Sequence, residues 1–235
     1  MVSLAGKVAL VTGGSVGKEL ARGFLRAGAN VAFIYRNPDR KAELDKTFSD
    51  FSAVYESFQA DLADASQARK AVMSVEERFG GVDFLLNSLG GWVGGRKLHE
   101  HSPADLGKML SIDLVPTFNI MSAVIPAMVE EKFGRIINFV SMQVFGSGAG
   151  SSVYAASKSA VLALSRAAAE EYKDSGISVF AIAPSTIDTE NNRKWIKGAD
   201  AARWVGTDEI VEAALYLCGA GHSINDTVLK FPGKM

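Results

Sequence analysis

The chain has 235 residues, 48% of them hydrophobic, and carries 25 basic and 26 acidic side chains for a formal net charge of -1. That is enough apolar material for a sizeable core, and no Pro/Ser/Gly-rich linker divides it, so one domain spanning residues 1–235 is expected. The balanced charge leaves no field suited to nucleic acid or an anionic membrane, and no uninterrupted apolar run approaches the ~18 residues of a membrane span.

The start, Met-Val-Ser-Leu-Ala-Gly-Lys, lacks the apolar core of a signal peptide, which predicts the cytoplasm. Val8-Ala-Leu-Val11 reads as a buried strand near residues 7–12. It is followed by Thr12-Gly-Gly-Ser-Val-Gly17 and a helix with Leu20, Phe24 and Ala27 on one face. Glycines let backbone N–H groups close on a phosphate, and the helix start favours an anion there, so Gly13, Ser15, Val16 and Gly17 are candidates for a dinucleotide site. A second strand near 30–35 ends in Arg36 and Asn37, with no acid before Asp39. An acid at that place suits a ribose 2′-hydroxyl, whereas a guanidinium suits a 2′-phosphate. Arg36 therefore predicts NADP, with NADPH preferred over NADH, and Arg40 adds to the local positive field.

Further strands are expected near 53–59, 83–87, 134–140, 177–183 and 227–231, about seven in all, alternating with amphipathic helices. Their unbroken apolar runs suit a parallel sheet covered on both faces, a doubly wound α/β fold. His99, His101 and His222 form no ligand set and are expected in solvent; no metal is predicted. Ser102-Pro-Ala-Asp105 is a helix start, with Ser as cap, Pro first and an acid three residues on. Gly146 to Ser152 reads as a loop above an active site. Cys218, the only cysteine, excludes an intrachain disulfide and reads as a buried, inert thiol.

Tyr154 and Lys158 lie four residues apart on a helix, hence on one face, with Ser141 thirteen positions upstream at a strand end. An ammonium beside a phenol favours the phenolate and lowers a pKa that starts at about 10. A hydroxyl from Ser141 could hold the oxygen that Tyr154 protonates.

Together these segments resemble the short-chain dehydrogenase/reductase family over nearly the whole chain. The resemblance aligns its nucleotide turn with Thr12 through Glu19, its adenine-contacting acid with Asp61 (followed by Leu62), and its Asn-Asn-Ala-Gly segment with Asn87-Ser-Leu-Gly90. Its segment at the nicotinamide end aligns with Pro184-Ser-Thr-Ile-Asp-Thr189, which includes Ile187. It implies a Rossmann fold and a reductase in which Ser141, Tyr154 and Lys158 are catalytic and Lys158 also holds the nicotinamide ribose.

Three positions depart from the family pattern. Glu19 replaces a glycine and is expected to face solvent or pair with Lys18. Asp113, in Ile112-Asp-Leu114, replaces an asparagine of the catalytic set; its charge is expected to support the Lys158 ammonium and offset its effect on Tyr154. Ser185 follows Pro184 where glycine is usual. Two loops, Gly90-Gly-Trp-Val-Gly-Gly95 and Asp188-Thr-Glu-Asn-Asn-Arg-Lys194 with Ala199-Asp200 and Trp204, are similar to quinoid dihydropteridine reductases. Trp92, Met142, Gln143, Phe145, Asn192 and Trp195 are candidates for the wall of a small-molecule substrate pocket, with a short substrate loop near 190–206.

The family's four-helix interface implies a homodimer or homotetramer, resting here on Met121, Val124, Ile125, Met128, Val161 and Leu164. The alternatives to a small-carbonyl or imine reductase are a quinoid dihydropteridine reductase-like activity, a 3-oxoacyl reductase-like activity and a nucleotide-binding regulator without chemistry.

Overall fold

A computed structural model describes residues 3–146, 149–196, 198, 200–219 and 223–234. Its strands are β1 (Val8–Gly13), β2 (Asn30–Tyr35), β3 (Tyr55–Gln59), β4 (Phe84–Ser88), β5 (Gly134–Phe139), β6 (Ile177–Pro184) and β7 (Val228–Phe231). Between them lie α1 (Ser15–Arg26), α2 (Arg40–Thr47), α3 (Ala65–Phe79), α4 (Pro103–Glu130), α5 (Ser152–Glu171), α6 (Glu190–Trp195) and α7 (Thr207–Gly219). All strand pairs are parallel, in the order β3-β2-β1-β4-β5-β6-β7. This is the doubly wound sheet read from the apolar runs, with strand ends shifted by a residue or two.

Alternation along β1 explains why it needs cover on both sides. Ala9 and Val11 face a core with Leu20 and Phe24 of α1 and Ile210 and Leu217 of α7. Val8 and Leu10 face the other core, with Val72 of α3, Ile120 and Val124 of α4, and Ala168 of α5. Phe24, fully buried, meets Phe84 of β4 edge to face with ring centroids 6.0 Å apart, a geometry aromatic pairs favour. Strand order reverses between β1 and β4, so the carboxyl ends of these two strands bound a crevice.

The start of α4 follows its sequence signal. Ser102 Oγ accepts from the Asp105 N–H at 3.2 Å, and Asp105 Oδ2 accepts from the Ser102 N–H at 2.8 Å. That backbone hydrogen bond, joined by the Ser102 hydroxyl and Arg96, pulls the Asp105 carboxyl down to about 2. Ser102→Ala should cost about 1 kcal/mol of stability, measured by urea denaturation; an unchanged midpoint would show that the cap contributes nothing.

Several expectations are corrected. Met121, Val124, Ile125, Met128 and Val161 are buried within the chain and Leu164 packs on the same core, so they are intramolecular rather than an interface. The apolar side chains that α4 leaves exposed are Leu106, Val115, Phe118 and Val129. By length and composition α4 is long and apolar enough to cross a membrane; much of that hydropathy belongs to the face it buries under the sheet. His101 is not solvated: its side chain is 2% exposed and its Nδ1 lies 3.7 Å from Asp105 Oδ2. His99 is exposed, and His222 and Ala199 lie outside the described residues.

Candidate active site

The carboxyl end of the sheet gathers the predicted residues from separate elements. Ser141 comes just past β5 and caps a short 3-10 turn, Met142–Val144, its Oγ accepting from the Gln143 N–H at 3.2 Å. Tyr154 and Lys158 stand one turn apart on α5. All three line one cavity of about 1270 Å³.

Lys158 is almost wholly buried. Its Nζ donates to the carbonyls of Leu89 and Phe139, both at 3.0 Å, and lies 3.6 Å from Asp113 Oδ1. Asp113, at 0% exposure, is tethered by the Ser157 hydroxyl, which donates to Oδ2 at 2.6 Å, and by the Gly91 N–H, which donates to Oδ1 at 3.2 Å. Burial pulls Lys158 below its ordinary value, and the Asp113 charge and hydrogen bond hold it up.

Burial also pushes the half-buried Tyr154 phenol above its ordinary range; the hydrogen bond to Ser141 lowers it and the Asp113 charge raises it. The expectation that Lys158 draws the phenol down is therefore corrected. The ammonium is engaged by two carbonyls and a carboxylate, and desolvation governs the phenol. A raised phenol remains protonated through neutral pH, which suits a proton donor.

Asp113→Asn tests this balance. Ser157 Oγ lies 2.9 Å from the Tyr154 carbonyl as well as 2.6 Å from Asp113, so it can turn its proton to the carbonyl and accept from the new amide. The variant should fold and retain its activity. Removing the negative charge lowers the phenol's pKa, so the alkaline fall in the rate of reduction should move to lower pH. A shift to higher pH, or none, would remove Asp113 from the balance.

At the crevice between β1 and β4, Gly13 has φ +111°, and an added Cβ would lie 2.4 Å from Ser88 Oγ; only glycine fits. The α1 start carries no side-chain cap, so its first N–H groups are available to an anion. Glu19 does not disturb this: it pairs with Arg22, while Lys18 pairs with Glu43 instead of Glu19. Val16 lines the larger cavity, whereas Ser15 and Gly17, in the first turn of α1, line neither cavity.

A second cavity of about 260 Å³, sharing Leu89 and Gly90 with the first, is lined by Gly13, Arg36, Arg40, Asp61 and Leu62. Arg36 is exposed at its lip, and Arg40 Nη1 donates to the Gly13 carbonyl at 3.3 Å. A glycine turn, an uncapped helix start and two guanidiniums fit a dinucleotide bearing an extra phosphate.

Asn87 and Thr189, two predicted cofactor contacts, line neither cavity. The Asn87 side chain is buried behind the cavity wall, accepting from Thr12 Oγ at 2.8 Å and donating to Thr117 Oγ and Asn138 Oδ1, both at 2.9 Å. Asn138 donates onward to Ser165 Oγ at 2.9 Å. Thr189 caps α6, accepting from the Asn192 N–H at 3.2 Å. Pro184 and Ile187 line the larger cavity.

Of the expected substrate wall, Trp92, Met142, Gln143, Asn192 and Trp195 line that cavity; Phe145 does not, its ring lying 4.0 Å beneath the Lys230 ammonium. Sequence reasoning missed Ser157, whose only signal was a small polar residue just before Lys158. It also missed Leu89, whose part is played by a backbone carbonyl that no side-chain pattern reveals.

A family model described as short chain dehydrogenase matches residues 7–200. A 3-oxoacyl-[acyl-carrier-protein] reductase of Chlamydia trachomatis is 30% identical over 99% of this chain and 98% of its own. A gluconate 5-dehydrogenase of Gluconobacter oxydans is 31% identical over 99% and 96%. Among solved structures, a gluconate 5-dehydrogenase of Burkholderia cenocepacia, in complex with NADP and tartrate, superposes with a TM-score of 0.88 at 30% identity, over 99% of this chain and 96% of that one.

Proposed function

Since the chain belongs to the short chain dehydrogenase family and is an oxidoreductase, we propose that it uses NADPH to reduce a small carbonyl or imine compound. The observation that carries the reading is the convergence of Ser141, Tyr154 and Lys158 in a cavity that adjoins the glycine turn across Leu89 and Gly90.

Bound NADPH supplies hydride to the substrate carbon. Gly13, the α1 start, Arg36, Asp61, Leu62 and Gly90 would hold the nucleotide, with Pro184 and Ile187 towards the nicotinamide end. Ser141 orients the substrate oxygen or nitrogen, and Tyr154, a protonated phenol at neutral pH, donates the proton to that atom. Lys158, held by Asp113 behind it, would bind the nicotinamide ribose. Asn192, Trp195 and Ile196 line the substrate side, and one buried cysteine fits the reducing cytoplasm.

The test is NADPH consumption against simple diketones, quinones, quinonoid pterins, 3-oxoacyl thioesters and 5-ketogluconate, the last two suggested by the relatives. Turnover of any of them supports a reductase. Tight NADPH binding without turnover would favour a nucleotide-binding regulator.

Arg36 and Arg40 favour NADPH over NADH. Arg36→Asp should weaken NADPH by about tenfold or more, the loss of one charge-assisted hydrogen bond, and flatten or reverse the preference. Equal use of both cofactors by the unaltered enzyme would show that Arg36 serves water. For assembly, the exposed Val115 and Phe118 (54% exposed) of α4 support a homodimer or homotetramer.

A further inference from the structure

One feature of the larger cavity bears on which compound enters it. Trp92 is 60% exposed although it lines the wall. Leaving so much indole in water is unfavourable unless something covers it. The loop that carries it is packed against the ring: a Cβ added at Gly94 would lie 2.6 Å from Trp92 Cζ2, 2.8 Å from the Gly150 carbonyl oxygen and 2.9 Å from Trp92 Cε2, so both the indole and the neighbouring backbone rest against bare glycine. The seat is fastened at both ends. The Gly95 N–H donates to the Gly150 carbonyl at 2.6 Å, and the Gly91 N–H to Asp113.

Trp195, 84% exposed at the end of α6, lines the same cavity. Trp92 follows β4 and Trp195 follows β6, which flank β5 in the sheet. Their loops therefore stand on either side of Ser141.

We propose that Trp92, seated on Gly94, is a stacking platform that selects flat, conjugated carbonyl or imine compounds, with Trp195 as the facing wall. The proposal rests on the reductase reading and narrows its substrate class. An indole offers a broad π-face at little conformational cost, and a flat conjugated partner covers more of it than a puckered aliphatic chain does.

The test uses isatin, a neutral planar dicarbonyl, and 5-ketogluconate, an aliphatic one, on the unaltered protein and on Trp92→Leu, Trp92→Phe and Gly94→Ala. Binding to the NADP+-loaded protein is followed by calorimetry and NADPH consumption by kinetics. Trp92→Leu keeps an apolar wall but removes the π-face, so isatin's Kd and KM should rise about tenfold with little change in kcat or in NADPH affinity. Trp92→Phe should recover most of the loss.

Gly94→Ala, whose Cβ would press on both the indole and the Gly150 carbonyl, should reproduce Trp92→Leu by unseating the ring together with its loop, with circular dichroism and NADPH affinity confirming that the rest of the fold is kept. Isatin bound no better than 5-ketogluconate by the unaltered protein, or bound equally well by Trp92→Leu, would overturn the proposal. Isatin binding that falls on Trp92→Leu without any NADPH consumption would support the platform while removing the reductase reading.

Discussion

Tyr154→Phe is expected to lower kcat for reduction by about two orders of magnitude or more while leaving NADPH affinity within about twofold, the usual contribution of a general acid. Phenylalanine keeps the ring and its place on α5 and removes only the hydroxyl, which lines the same cavity as Ser141. The loss should appear equally in kcat and kcat/KM, since the proton is needed in the transition state rather than for binding. Turnover near that of the unaltered enzyme would take Tyr154 out of the role and leave Ser141 or a water as the donor.

Lys158→Ala is expected to have the broader effect. Its ammonium satisfies the carbonyls of Leu89 and Phe139 and offsets the charge of Asp113, which is fully buried behind it. Removing one partner of a buried ion pair leaves the other uncompensated, which costs about 3 kcal/mol or more. Turnover, NADPH affinity and thermal stability should therefore fall together. Adding Asp113→Asn to Lys158→Ala removes the stranded carboxylate and should return much of the stability without restoring turnover. A double variant as unstable as Lys158→Ala alone would show that the lysine serves the carbonyls and not the carboxylate.

The sheet was legible because its strands are buried on both sides and so appear as unbroken apolar runs; Ile177 to Pro184 of β6 is buried at every position. Tyr154, Lys158 and Ser141 were legible because a helix turn and a strand end fix where such residues can point. Asn87 shows what that reasoning does not reveal. A side chain at a strand end beside a crevice reads as a ligand contact, and only packing reveals that it is buried and bonded to Thr12, Thr117 and Asn138. The interface residues on α4 and α5 failed for a related reason. Helices apolar on more than one side do not announce which side meets their own sheet. His101 was hidden too, because a histidine in a polar loop gives no sign that its ring will turn inward beside Asp105.

The Asn87 cluster joins β1, β4 and β5 to α4 and α5 through side chains removed from water. Each link satisfies a donor or acceptor that would otherwise be stranded, so any one strand sliding past another would orphan several groups at once. The nucleotide side and the proton-transfer side of the crevice thus form one unyielding block. A substrate must therefore fit the space this block leaves, between the seated glycine-rich span carrying Trp92 and the short helix carrying Trp195.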